Sequence, residues 1–193
     1  VDVVGTSTGC ASALTALQTD VRSVWTWQAI PANFTVSDLF GPSGVLGLDI
    51  VRDSVAIRAR VGYLPGGVSF WDGLTGVRLL DELAAMSGRP PSRRAELLDR
   101  LELSERTLRR PVRDYSRGMR QKIGIIQALQ HDPELAVLDE PSEGLDPLMQ
   151  RAFYEILDDL HKAGRTIFFS SHVLSEVERV CDSVVSLRDG VVA

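Results

Sequence analysis

Short apolar runs with no polar alternation mark the second half of the chain, and amphipathic stretches lie between them. Leu135-Ala136-Val137-Leu138 is the clearest run. Four consecutive apolar residues are the pattern of a strand buried on both faces of a parallel sheet. Residues 166–170 read as a second buried strand. Between the two, Met149, Phe153, Ile156, Leu157 and Leu160 recur at helical spacing behind Asp146 and Pro147. Asp at the cap and Pro at the first helical position start a helix, and Gly164 stops it.

Upstream, 60–64 reads as a short strand ending at Pro65-Gly66-Gly67, and 76–86 and 92–103 as amphipathic helices parted by Pro90-Pro91. Residues 117–130 form a third helix pattern with Met119, Ile123, Ile126 and Leu129 on one face. Downstream, Val173, Leu174, Val177, Val180 and Cys181 stripe a further helix. Residues 183–187, the Asp189-Gly190 turn and Val191-Val192 then read as a hairpin. Strands alternating with helices predict an α/β fold, a mostly parallel sheet with flanking helices. Residues 1–41 show little periodicity and no Gly between Gly9 and Gly41; no element is assigned to them.

Composition narrows the class. A length of 193 residues, 44% hydrophobic and 24% charged, suits one domain with a sizeable core. No apolar run approaches the roughly 18–20 residues of a membrane span, and the first residues lack a basic stretch followed by a continuous apolar one. A net charge of −5 provides no basic field, so no nucleic-acid partner is expected. The two cysteines, Cys10 and Cys181, form no C-x-x-C pair; a reducing, cytoplasmic setting and a buried Cys181 thiol are expected. Arg106, Arg109, Arg110, Arg113, Arg117 and Arg120 read as a solvated face rather than a site for anions or lipid headgroups.

Four features carry candidate chemistry. The buried run 135–138 delivers Asp139 and Glu140 to its end, where an Asp can hold Mg²⁺ and a Glu can activate water. The segment Tyr115-Ser116-Arg117-Gly118-Met119 opens a helix whose backbone N–H groups and Ser hydroxyl can bind phosphate. Ser142-Glu143-Gly144-Leu145-Asp146-Pro147 leads into the next helix, and Ser170-Ser171-His172 follows a strand. Taken singly, each has a plain structural reading as a cap, a solvated loop or a surface histidine.

As an ordered set they resemble the nucleotide-binding domain of ATP-binding cassette (ABC) transporters. Tyr115–Met119 resembles the signature segment, 135–140 the Walker B strand with its acid, Gly144-Leu145-Asp146 the D-loop, and His172 the switch histidine. Val61-Gly62-Tyr63-Leu64-Pro65 resembles the approach to the Q-loop, and 42–49 the turn and strand before it. The variant signature followed by Gln121-Lys122 is most similar to cassettes serving small exporter permeases. The resemblance covers 42–193, with a helical subdomain over about 67–115. It implies a P-loop-type ATPase core that uses ATP and Mg²⁺ and works as a homo- or heterodimer of cassettes. A membrane permease would hold it at the inner face of the membrane. By the resemblance, Asp139 orders Mg²⁺, Glu140 polarises water and His172 contacts the γ-phosphate. Ser116 and Gly118 would reach the partner's nucleotide, and Asp146 would sit at the interface.

The pattern breaks upstream. A phosphate loop needs G-x-x-x-x-G-K-[ST], expected here within 10–40, and the chain's two lysines, Lys122 and Lys162, follow Gln121 and His161. The glycine cluster Gly5–Cys10 lacks Lys and lies too early, Trp25 and Trp27 cannot be assigned to the adenine, and the Q-loop position holds Gly66. Because Glu140 and His172 are both retained, the expectation is an incomplete copy of a working ATPase. The alternatives are a non-catalytic subunit lending only its signature and a non-transport ABC ATPase. Without a cradle the triphosphate loses backbone donors and a charge-assisted contact. Isothermal titration of the purified chain with MgATP is expected to give no binding tighter than about 10 μM; a lower dissociation constant overturns this.

Overall fold

The apolar runs and amphipathic helices build the α/β fold that the periodicity predicts, but on a mixed sheet with two parallel and three antiparallel pairings among the described residues. The computed structural model describes residues 2–6, 44–188 and 191–192. Among these, the strands are β1 (Asp2–Thr6), β2 (Val61–Leu64), β3 (Leu135–Asp139), β4 (Thr166–Ser171), β5 (Ser183–Arg188) and β6 (Val191–Val192). The helices are α1 (Ser54–Arg60), α2 (Gly76–Ser87), α3 (Arg94–Arg100), α4 (Glu105–Leu108), α5 (Arg117–Leu129), α6 (Pro147–Lys162) and α7 (Leu174–Val180). The six strands form one sheet in the order β2-β3-β4-β1-β5-β6. The trio β2-β3-β4 at one end of the sheet is parallel, with Tyr63 opposite Val137 and Val137 opposite Phe168. The ends of these strands therefore align, and Asp139 lies opposite Ser170.

β1 was not read from the sequence. It inserts between β4 and β5 and runs antiparallel to both, with Val3 opposite Ser171 and Thr6 opposite Phe168. The chain therefore leaves β1 heading away from the sheet edge that carries Asp139. The strand expected within 42–49 is instead a tight turn. Gly44, Leu46 and Gly47 have φ of 88°, 55° and 75°, which breaks an extended run, and α1 follows. The helix expected over 92–103 covers only α3, because the Arg93 N–H bonds the Gln130 carbonyl at 3.0 Å and Glu102 turns left-handed at φ 53°. The hairpin turn Asp189-Gly190 and the expected phosphate-loop span lie outside the described residues.

α5 is the hub. Ile123, Ile125, Ile126 and Leu129 are fully buried, so more of its girth is covered than the single stripe foreseen. Leu79, Leu80, Leu97 and Leu101 of the helical segment join Leu64, Leu138, Phe153 and Phe169 of the sheet side in one cluster. The helical segment thus shares its core with the sheet. α6 begins as its sequence predicts, with the Asp146 carboxylate accepting from the Leu148 and Met149 N–H groups at 3.0 Å each. Cys181 is half-buried, and burial pushes its thiol up to about 12.

A central strand cannot lose a ladder donor without cost. Val4→Pro is expected to lower unfolding free energy by about 1–3 kcal/mol, measured by urea titration. An unchanged midpoint would remove β1 from the middle of the sheet.

Candidate functional site

β3 is buried on both sides and has nowhere polar to go until its last residue. There the Asp139 carboxylate accepts a short hydrogen bond from the Ser170 hydroxyl on β4, and a second, at 3.1 Å, from the Gly66 N–H beyond β2. A Cβ at Gly66 would sit 2.5 Å from Asp139 Oδ2. At the position where the resemblance calls for Gln, a side chain would require the Asp139 carboxylate to shift.

Glu140 takes the left-handed conformation, φ 46°, which costs a non-glycine residue about 1–3 kcal/mol and persists only when its surroundings fix it. Its N–H donates to the Ser170 carbonyl at 3.2 Å and lies 3.3 Å from the Ser170 hydroxyl. The amide of Gln121, buried on α5, donates to the Glu140 and Pro141 carbonyls at 3.3 and 2.9 Å. Glu140 Oε1 accepts from the His172 N–H at 3.1 Å and lies 2.9 Å from His172 Nδ1. The hydrogen bond to Glu140, reinforced by its charge, raises the His172 pKa above the usual histidine range.

The start of α5 lies alongside. The Ser116 hydroxyl caps it by accepting from the Met119 N–H at 3.2 Å. A Cβ on Gly118 would come within 2.8 Å of the Gly144 carbonyl, so the helix start and the β3–α6 turn are in backbone contact. Arg117 pairs with Glu143 across the same seam. The structure therefore brings Asp139, Glu140 and His172 together at one sheet edge. It sets Ser116 and Gly118 beside the adjoining turn and uses Asp146 as the cap of α6. The residues expected to hold phosphate and adenine, including Trp25 and Trp27, lie outside the described residues.

The donor set suits a hard cation. A carboxylate and a hydroxyl supply oxygen ligands, and Mg²⁺ commonly takes one or two carboxylates, the rest being water and phosphate oxygens. Among the described residues no cluster of three His, Cys, Asp or Glu side chains could hold a metal unaided. The site fits Mg²⁺ that arrives with a nucleotide.

Sequence reasoning missed the supporting residues Gln121, Ser142 and Glu176. Gln121 had a usable signal: it sits four residues before Ile125 and three after Gly118, a polar residue on a core-facing stripe. Glu176 had none, because its partners come from two other loops.

Aligned parallel strands ending in paired carboxylates and a histidine, beside a capped helix start, fit an α/β fold of the P-loop type. Comparison with known proteins gives the family. A family model described as "AAA domain, putative AbiEii toxin, Type IV TA system" matches residues 72–178 and falls within the same P-loop family. The chain is 45% identical over 139 residues to an uncharacterized ABC transporter ATP-binding protein of Nostoc sp., covering 69% of this chain and 42% of the relative. It is 36% identical to the ABC transporter ATP-binding protein NatA of Bacillus subtilis, covering 80% and 66% respectively. It is 34% identical to the bacitracin transport ATP-binding protein BcrA of Enterococcus faecalis, covering 78% and 49%. A solved structure titled "Structure of ATP binding subunit of ABC transporter" superposes with a TM-score of 0.70 at 31% identity, over 76% of this chain and 62% of that one. The chain belongs to the family of ABC transporter ATP-binding proteins, and in these curated relatives it spans between 42% and 66% of their length.

A histidine whose pKa rises on folding adds stability that is complete below its unfolded value, about 6.5. That contribution is lost as pH climbs through the raised folded value. His172 is 62% exposed on its side chain, so the contribution is small but the titration is readable. By NMR, His172 is expected to titrate above about 6.5 and to return to that value in Glu140→Gln. Identical titrations in the two proteins would break the pairing.

Proposed function

We propose that this chain is the ATP-hydrolysing subunit of an ABC exporter, coupled to a separate membrane permease and working as a dimer of cassettes at the cytoplasmic face. The observation that carries the reading is the contact between Glu140 and His172, 2.9 Å apart, one residue beyond a carboxylate already held at the strand end. Asp139 holds Mg²⁺, which when bound neutralises charge on the phosphate oxygens. Glu140 lies one residue further out and accepts the proton of a water attacking the terminal phosphorus, as ADP leaves. His172 keeps Glu140 oriented through Nδ1 and the backbone N–H, which leaves its other ring nitrogen for a phosphate oxygen. Ser116 and Gly118 face the partner cassette's nucleotide, with Asp146 at the interface.

The transport side of the proposal draws on what the relatives are called, bacitracin transport and linearmycin resistance ATP-binding proteins. No helix among the described residues is long and apolar enough to cross a membrane. The surface offered to a permease is the helical segment at about 67–115, where Trp71 and Met86 are 58% and 72% exposed along a groove with Leu74 and Arg78.

A second reading, a non-catalytic cassette that lends its signature to a complete partner, is favoured by one fact: no Gly-Lys pair occurs in the sequence. The deciding experiment grafts a phosphate loop onto the chain and measures steady-state phosphate release with nucleotide affinity in parallel. Glu140→Gln keeps size and hydrogen bonding but cannot accept the proton. Turnover is expected to fall at least about 10²-fold with affinity retained. Equal turnover in the two proteins removes Glu140 from the chemistry, and a grafted chain that binds but never hydrolyses favours the second reading.

A further inference from the structure

Glu176 of α7 has no part in the chemistry above, yet the residue is 8% exposed and its carboxylate meets buried hydroxyls. The neighbouring Val177 already fills the core position of this helix, so packing does not require an acid beside it. Its partners are hydroxyls. The Ser142 hydroxyl lies 2.9 and 2.8 Å from the two carboxylate oxygens, and the Ser171 hydroxyl donates to one of them at 2.8 Å. Ser171 also accepts from the Val173 N–H at 3.1 Å. Tyr154 of α6 flanks the group; burial and then Glu176 push its phenol above the usual range, and the Arg179 guanidinium lies 5.1 Å from its ring centre. A buried carboxylate is tolerated only when hydrogen bonds satisfy it, and here one donor lies in the loop after β3 and the other is the last residue of β4, each within two residues of a candidate catalytic residue. Ser142 is two residues beyond Glu140, and Ser171 immediately precedes His172.

We propose that Glu176 is a positioning residue: it clamps the loop after β3 to the loop after β4, so that the Glu140–His172 contact is formed before any ligand arrives. The left-handed turn at Glu140 is then gripped from two sides, by Gln121 on its carbonyls and by Glu176 through Ser142. The functional meaning of the clamp rests on the ATPase reading, but the clamp itself does not. The competing role is local, in which Glu176 merely anchors α7 to the end of β4 through Ser171.

Amide hydrogen exchange of the full chain, without nucleotide, separates the two. The Glu143 and Leu145 N–H groups, bonded to the Glu140 and Ser142 carbonyls at 3.1 Å each, report on the first loop. The His172 and Val173 N–H groups report on the second. In Glu176→Leu, exchange in both loops is expected to accelerate about tenfold or more, while the strand amides of Leu138 and Phe169 keep wild-type rates. Glu176→Gln can accept from one hydroxyl and donate to the other, so it should retain most of the protection. Acceleration confined to His172 and Val173, equal acceleration in the Gln and Leu variants, or no acceleration each overturns the clamp. If Glu176→Leu does not fold, Ser142→Ala carries the test: a faster His172 amide, across the clamp from the change, supports it, and an unchanged one overturns it. Because no nucleotide is present, a chain that fails to hydrolyse ATP leaves this result standing.

Discussion

The left-handed turn at Glu140 is the constraint around which the site is built. β3 is covered on both faces, so its two acids have to emerge at its end, and the chain has to leave the sheet there at once. Pro141 follows directly and narrows the conformations open to the residue before it. Left to itself, Glu140 would not hold φ 46°. Ser170 holds its N–H, Gln121 its carbonyl and His172 its side chain. Each of these groups comes from a different element, so the turn exists only once the sheet and α5 are assembled. The strain and the candidate chemistry sit on the same residue.

α5 connects that turn to the rest of the molecule. Its first turn, capped by Ser116, is half-buried, and its second carries Gln121 into the core. Beyond that it is buried against both the helical segment and the sheet. A side chain such as Ile126, fully buried between those two layers, is held by close packing rather than by direction-specific bonds. That packing fixes the axis of α5, and the axis fixes where Gln121 meets the Glu140 and Pro141 carbonyls. The hydrophobic core thereby sets the geometry of a polar site several residues away.

Much of this was legible in the sequence because it depends on local rules. The unalternating run at 135–138, the Asp146-Pro147 start of α6 and the Ser116 cap each express a short-range preference of the backbone, and each stands where those preferences put it. What was not legible depends on contacts distant in sequence. β1 has no periodicity of its own that separates it from the Thr- and Ser-rich residues that follow, and its place is set by the gap between β4 and β5. The glycines at 44 and 47 turned an apolar stretch that reads as a strand into a tight turn. Gly66 departs from the Q-loop pattern, and its backbone lies directly against the Asp139 carboxylate. Glu176 carries no local signal, because its partners Ser142 and Ser171 are 34 and 5 residues away.

If two such chains pair as proposed, the seam between the start of α5 and the β3–α6 turn would link their sites. Gly118 and the Gly144 carbonyl approach too closely for a side chain to intervene, and the Arg117–Glu143 pair bridges the same gap. In the proposed dimer of cassettes, Ser116 and Gly118 would serve the nucleotide of the neighbouring cassette, while Glu140, four residues before Gly144, would serve this chain's own. A backbone contact that close transmits displacement, because it has no soft side chain to absorb it. A shift of the helix start on engaging the neighbour's nucleotide would press on the turn that leads back to Glu140. Gln121, one turn further along the same helix, holds the other side of that residue. The two sites of a dimer would then be coupled through the rigid body formed by α5 and the β3–α6 turn.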